Sequence, residues 1–310
     1  MPRVYFDSNI FGQLEDEVSW RPVRKFLNEA GHRLIVGDAI IGEAIQLQDA
    51  SQRERLVRCI AGLRSEWTSG VPGEAMVTEA YRLITRVNPG WVIGNRRRVL
   101  LRKLRSNRQR VLAGIGSNVA QQALWNRNLA PMFLAQAESI RQWQRQAVED
   151  LKQGTYRQIM EKRLPGDVKL PTDLSDSGLQ WRLLAAERFY TVTNGLSTEP
   201  VNFLQDLRRG LSVSEWANFW LSVSDDDAPA TAIHGLVRYH QLFRTLKGSG
   251  NMIDAMQATA ALGCDFFVTS DYGLYQTMRQ VQIDMHGLSP TPRYIPSGGV
   301  VPASLQSALR

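Results

Sequence analysis

Four acidic residues, Asp7, Glu43, Asp254 and Asp271, stand where their carboxylates could work together. Asp7 closes the short apolar run RVYF, and Asp271 follows FFVTS near the other end of the chain. Glu43 lies in GDAIIGEAI, where helical spacing puts it beside Ile40 and Leu47 at the edge of an apolar arc, a costly place for a glutamate with nothing to pair with. Asp254 shares a helical face with Ala258 and Ala261, side chains small enough for that helix to approach a sheet closely. Carboxylates crowded into one cleft raise each other's pKa and destabilise the fold unless a cation neutralises them. Oxygen donors without histidine or cysteine select hard cations, Mg²⁺ or Mn²⁺, which suit the hydrolysis of phosphate esters and require no protein nucleophile. Each acid also has a plainer role open to it. Asp254 could complement a helix dipole, Glu43 could be a half-exposed helix residue, and Asp7 or Asp271 could cap a turn or helix.

The elements that must position these residues are legible at both ends of the chain. RVYFD and HRLIVGD read as buried strands, with a helix between them over RPVRKFLNEAG that Gly31 closes. After Asp38, a plausible N-cap, AIIGEAIQLQDASQRERLVRCIAGL has helical periodicity. Near the carboxyl end, SGNMIDAMQATAALG reads as a helix closed by Gly263, DFFVTSD as a strand, YGLYQTMRQ as a short helix and VQIDMHG as a last strand. Strand alternating with helix is the rhythm of an α/β fold with a parallel sheet, whose functional groups collect at the carboxyl ends of the strands. If the strands ending in Asp7 and Asp271 are adjacent, the two carboxylates face one crevice. Asp265 begins the strand that Asp271 follows, roughly 20 Å away at about 3.3 Å per residue, and is excluded from that site. Asp225, Asp226 and Asp227 precede Ala-Pro and a helix-like segment, which suggests N-terminal capping. The four histidines show no ligand spacing.

With 310 residues, 43% hydrophobic and 22% charged, the chain can bury a sizeable core as one large domain or two modest ones. Its middle is dominated by helix-like segments such as PMFLAQAESIRQWQRQAVEDL, broken at GVPGE, NPGW, LPGDVKLP and DDDAPA. The economical architecture is an α/β domain over residues 1–65 and 246–310, split by a mainly helical insertion over 66–245. Cys59 and Cys264 form no metal-binding pattern and suggest a reducing compartment. No apolar run is long enough to span a membrane, and MPRVYFD lacks the apolar core of a secretory signal, so a cytoplasmic location without a membrane partner is expected. Net charge is +7, and between Ala80 and Ala137 there is no acidic residue to offset RRRVLLRKLRSNRQR. Within that block Arg96, Arg97, Arg98, Arg102, Lys103 and Arg105 are candidates for binding a polyanion such as nucleic acid. The alternative is a solvated helix face, since Arg97, Leu101, Leu104 and Arg108 fall at helical spacing.

The motifs taken together resemble the PIN-domain nucleases. The resemblance rests on VYFDSN with Asp7 and Asn9, Glu43 in GDAIIGEAI, Asp254 in MIDAMQATAALG, and FFVTSD with Thr269 and Asp271. It implies a three-layer α/β/α sandwich around a parallel sheet and divalent-metal-dependent hydrolysis of phosphodiester bonds, most often in single-stranded or structured RNA. Asp7, Glu43, Asp254 and Asp271 would then be the metal-binding carboxylates, with Asn9 and Thr269 orienting a carboxylate or bound water. Ser8 matches a variable position and receives no role. Many bacterial members of that family are compact toxins held by an antitoxin, so an antitoxin or other regulatory protein is an expected partner, and a homo-oligomer is open. The long helical middle departs from that pattern. Two other readings remain: a PIN-like RNA-binding or scaffold protein without turnover, and a phosphohydrolase of the haloacid dehalogenase type. The second normally wants an acid two residues after its aspartate, where Asn9 stands.

Overall fold

The structure, a computed structural model, describes residues 1–37, 39–40, 43, 47, 49–67, 72–94, 145–146, 148–149, 152, 154–194, 206–242 and 250–310. Among these the chain begins with β1 (Arg3–Phe6), α1 (Ser8–Gln13), α2 (Glu17–Glu29), β2 (Arg33–Val36), α3 (Ala50–Gly62) and β3 (Glu66–Trp67). A helical stretch follows: α4 (Pro72–Val87), α5 (Tyr156–Arg163), α6 (Asp176–Thr193), α7 (Val213–Leu221), α8 (Pro229–Leu242) and α9 (Gly250–Ala260). It closes with β4 (Phe266–Thr269), α10 (Tyr272–Asp284), β5 (Thr291–Tyr294) and α11 (Pro302–Ala308).

The fold is α/β, with one parallel sheet in the order β3-β2-β1-β4-β5. Tyr5 stands opposite Ile35 on one side and Phe267 on the other, so the strand expected to neighbour β1 across most of the sequence does so. β1 and β4 are central and buried on both faces, which is why they read as unbroken apolar runs rather than alternating ones. From β1 the chain steps outward through β2 to β3; from β4 it steps the other way to β5. The boundary between β1 and β4 is thus the topological switch point of the sheet, where an open α/β sheet leaves a crevice at its carboxyl edge. Pro292 lies in the edge strand β5, where a missing N–H costs least.

The helix ends behave as their residues dictate. Gly31 and Gly263 take the left-handed conformation after α2 and α9, with φ of 70° and 82°, which only glycine adopts freely. Two expectations change. The periodic stretch after Asp38 is not one helix: residue 47 is non-helical and Asp49 caps a new helix, its Oδ1 accepting from Ser51 N at 2.7 Å and Gln52 N at 3.1 Å. Asp38 itself lies outside the described residues. VQIDMHG is not a strand, because α10 runs through it to Asp284. Leu274, Met278 and Val281 form one buried stripe at helical spacing, and positive φ at His286 and Gly287 turns the chain into β5. β3, two residues long, carries no period to read, and it extends the sheet past residue 65.

α2 packs on α3 and α11, and α8 packs on α6, α9 and α10. The buried side chains of sheet and helices form one continuous cluster, with an aromatic centre at Trp181, Phe189, Trp216 and Trp220 whose ring centroids lie 5.2–6.3 Å apart. The Asp225–Asp227 run does not cap α8. Glu79 of α4 takes that role, accepting from Ala230 N at 2.7 Å and Thr231 N at 3.0 Å, while Asp225 pairs with Arg182 and Asp227 with Arg86. Glu79 is out of reach of any local sequence pattern because it lies about 150 residues upstream, as the 151-residue separation from Ala230 shows. Both cysteines are free and buried, Cys59 in α3 and Cys264 just ahead of β4. No described helix is long and apolar enough to cross a membrane. Of the helix expected over 131–151, residues 145–146 and 148–149 are described, and they are helical.

Candidate active site

Both central strands end in the same way: the strand stops, an aspartate caps the next helix, and the helix leaves the carboxyl edge. Asp7 Oδ1 accepts from Ile10 N at 3.1 Å, and Asp271 Oδ1 accepts from Leu274 N at 2.9 Å. The capping role is therefore real for both, and it occupies only one oxygen of each. Thr269, fully buried at the end of β4, ties the two turns together. Its hydroxyl donates to Asp7 Oδ2 and accepts from Asp271 N at 2.9 Å. Asn9 Nδ2 approaches Asp7 Oδ2 at 3.5 Å, a long contact. The supporting roles expected of Thr269 and Asn9 thus have a geometric basis, strong for the first and weak for the second.

Glu43 joins from the segment after β2. Gln257 of α9 donates its Nε2 to Glu43 Oε2 at 2.7 Å and to Ser8 Oγ at 3.2 Å, and Ser8 also hydrogen-bonds Glu43. α9 can come this close because its inner face is small. Ala255, Ala258 and Ala261 are fully buried, and a Cβ on Gly37, at the end of β2, would meet Ala260 Cβ at 2.6 Å. The alanine face works as expected, but the α9 residue hydrogen-bonded to Glu43 is Gln257. Asp254, one turn earlier, accepts from Gln241 Nε2 of α8 at 2.8 Å.

The electrostatics of the pair are those of desolvated acids. Burial pushes the Asp7 carboxyl up to about 6, against the Thr269 hydroxyl and the Ile10 amide that favour its charged form. Burial pushes Glu43 up to about 7; the charge on Asp7 acts in the same direction, opposed by Ser8 and Gln257.

Among the described residues, no three of the acids, histidines or cysteines are grouped closely enough to hold one ion. The expected four-carboxylate cluster is instead a linked set. Asp7 and Asp271 are joined through Thr269, Glu43 is joined to the Asp7 turn through Ser8 and Gln257, and Asp254 sits on Gln241. Sequence reasoning missed Ser8, Gln241 and Gln257. A glutamine at 257, on the same helical face as Asp254 and among buried alanines, was a readable signal, since a buried amide needs partners. Ser8 offered none. The oxygen donor set suits a hard divalent cation. A buried acid beside a half-buried one, with the charge on Asp7 acting against that on Glu43, is the electrostatic setting such a cation would relieve. Asp265 lies at the opposite edge, accepting from Arg3 N at 2.6 Å, as its position in the strand requires. Arg96, Arg97, Arg98, Arg102, Lys103 and Arg105 lie outside the described residues. No family model, curated protein or solved structure matches the chain.

Proposed function

We propose that the chain is a divalent-metal-dependent ribonuclease with a PIN-like, three-layer α/β/α arrangement, acting on single-stranded or structured RNA. The observation that carries this reading is the pair of desolvated acids, Asp7 at about 6 and Glu43 at about 7, at the switch point of a parallel sheet and linked through Thr269 to Asp271. The right-handedness of parallel crossovers supports the sandwich. Stepping in opposite directions from the two central strands, such crossovers would put α2 and α3 on one face and α10 on the other.

Asp7 and Glu43 would hold Mg²⁺ or Mn²⁺, since such an ion needs only one or two protein carboxylates, with Asp271 and Asp254 alongside; the bound ion would lower the pKa of water and stabilise charge on a phosphodiester. Thr269 fixes the Asp7 carboxylate by donating to Oδ2, leaving Oδ1 on the Ile10 amide. Gln257 and Ser8 hold Glu43 beside Asp7 in spite of their repulsion. The α10 amides capped by Asp271 keep that carboxylate at the rim of the edge. The basic stretch from Arg96 to Arg110 is proposed to hold RNA.

Purified full-length protein should cut single-stranded RNA with Mg²⁺ or Mn²⁺ and stop with EDTA. Asp271→Asn keeps a good helix cap, so it should remain folded. It should lose at least about 100-fold in rate, because even outer partners of a metal site are worth about 10–100-fold. Unchanged cleavage by that variant would remove the proposal. A second reading, a PIN-like RNA-binding or scaffold protein without turnover, takes its support from Asp254, whose Oδ2 accepts from Gln241 Nε2 at 2.8 Å. It is separated by calorimetric titration with Mn²⁺: binding lost in Asp7→Asn supports the nuclease, and no binding by native protein supports the scaffold.

A further inference from the structure

Three tyrosines meet at the carboxyl edge of the sheet, on the side of β4 away from β1. Tyr272 opens α10 directly after Asp271, Tyr275 follows one turn later on the same helix, and Tyr294 is the last residue of β5. Their ring centroids lie 6.1 Å apart for Tyr272 and Tyr275, 5.4 Å for Tyr272 and Tyr294, and 5.8 Å for Tyr275 and Tyr294, so each ring contacts both of the others. In the strand register Tyr294 stands opposite Thr269, whose hydroxyl joins Asp7 to the Asp271 amide. With strands about 4.8 Å apart, the end of β5 lies about 10 Å from that of β1. The cluster therefore adjoins the acids.

Tyr275 and Tyr294 are half-buried and form the base of the cluster, while Tyr272 remains 59% exposed although two rings hold it. A single exposed apolar side chain needs no explanation. An exposed ring braced by two others differs, because little side-chain freedom is left to lose when a ligand covers it. Tyrosine suits such a place, presenting an apolar face with a hydroxyl that stays in water. The exposed Arg279, one turn beyond Tyr275, adds positive charge, its Cζ 5.9 Å from the centre of the Tyr275 ring. The ligand must then offer a flat face close to the group on which the acids act. An unpaired base beside its own phosphodiester does so whatever its identity, whereas the bases of a duplex are already stacked and paired.

We propose that Tyr272, braced by Tyr275 and Tyr294, stacks an unpaired base of the RNA strand next to the phosphate held at the acids, and so selects single strands without regard to sequence. This rests on the ribonuclease reading for the identity of the strand and adds how that strand is held. The test is fluorescence anisotropy of the full chain with labelled oligoadenylate and oligouridylate at low salt in EDTA, which reads binding without metal or cleavage. Tyr272→Ala should weaken binding of both by about 5–150-fold, the worth of one stacked base, with the melting temperature unchanged. Tyr272→Phe keeps the ring and should bind as native protein does; Tyr272→Leu, apolar but without an aromatic face, should bind as the alanine variant does. An abasic oligonucleotide of the same length should bind native protein and Tyr272→Ala equally. The proposal is overturned if Tyr272→Ala binds both oligonucleotides as tightly as native protein, if Tyr272→Leu matches Tyr272→Phe, or if the abasic strand loses affinity by the same factor. Native protein that binds neither oligonucleotide overturns it as well. The ribonuclease reading fails separately: if Mg²⁺ and Mn²⁺ bring no cleavage while binding in EDTA still depends on the ring, the stacking site stands and only the chemistry assigned to the acids falls.

Discussion

The two ends of β1 and β4 are built from the same strands and treat charge in opposite ways. At the amino end, Asp265 accepts from the Arg3 amide at 2.6 Å, and the Arg3 guanidinium donates to Gly263 O at 3.0 Å, so each charged side chain has a hydrogen-bonding role in joining the strands. At the carboxyl end, buried Asp7 and half-buried Glu43 lie beside each other, and desolvation pushes both pKa values up. One end is arranged for stability. The other carries an electrostatic load that helps the fold in no evident way, and loads of that kind gather at functional sites.

The largest expected effect comes from breaking the contrast at Thr269, through the hydroxyl that Thr269→Val removes while keeping the shape. Asp7 Oδ2 then loses its donor and the Asp271 amide its acceptor, and Mn²⁺ affinity measured by calorimetry should fall by about 10–100-fold. Neutralising Asp7 tests the load itself. Its folded pKa, about 6, lies above the roughly 3.9 of an unfolded aspartate, so the folded state keeps the proton longer. The acid is neutral in both states and without penalty below about pH 4; stability is lost as pH rises through about 4 to 6, and the penalty is complete above that. Asp7→Asn should therefore stabilise the metal-free protein at pH 8 by up to about 3 kcal/mol, and by little at pH 4, in denaturant titrations. A variant destabilised at pH 8 would show that the carboxylate's hydrogen bonds outweigh its desolvation. The smallest effect belongs to the amino end. Asp265→Ala removes one ordinary acceptor and should cost about 1 kcal/mol, with no dependence on Mn²⁺.

Particular residues show where the sequence was readable. β1 and β4 were recognisable because central strands of a parallel sheet are apolar throughout, and the helix stops at Gly31 and Gly263 because left-handed backbone favours glycine. The division at Asp49 was hidden, since Leu56, Cys59 and Ile60 continue the spacing of the segment before it and periodicity does not register a break. α10 was cut short because VQID alternates like a strand; its helical state is settled by Leu274, Met278 and Val281 packing as one stripe. Gln257 and Gln241 were passed over because a search for hard-metal ligands looks for carboxylates, while the groups that hold carboxylates in place are as often amides.

By itself the sequence determined the α/β alternation, the apolar strands, the helix stops and the identity of the acids, because these depend on local backbone preference and on burial at a fixed period. The tertiary structure alone decided that β1 lies beside β4, that Thr269 bridges two aspartates 264 positions apart in sequence, that Glu79 caps α8, and that Gln257 rather than Asp254 bonds Glu43. Those pairings join residues far apart along the chain, and only the packing of α9's small face against the sheet sets which side chain on a helical turn reaches its neighbour.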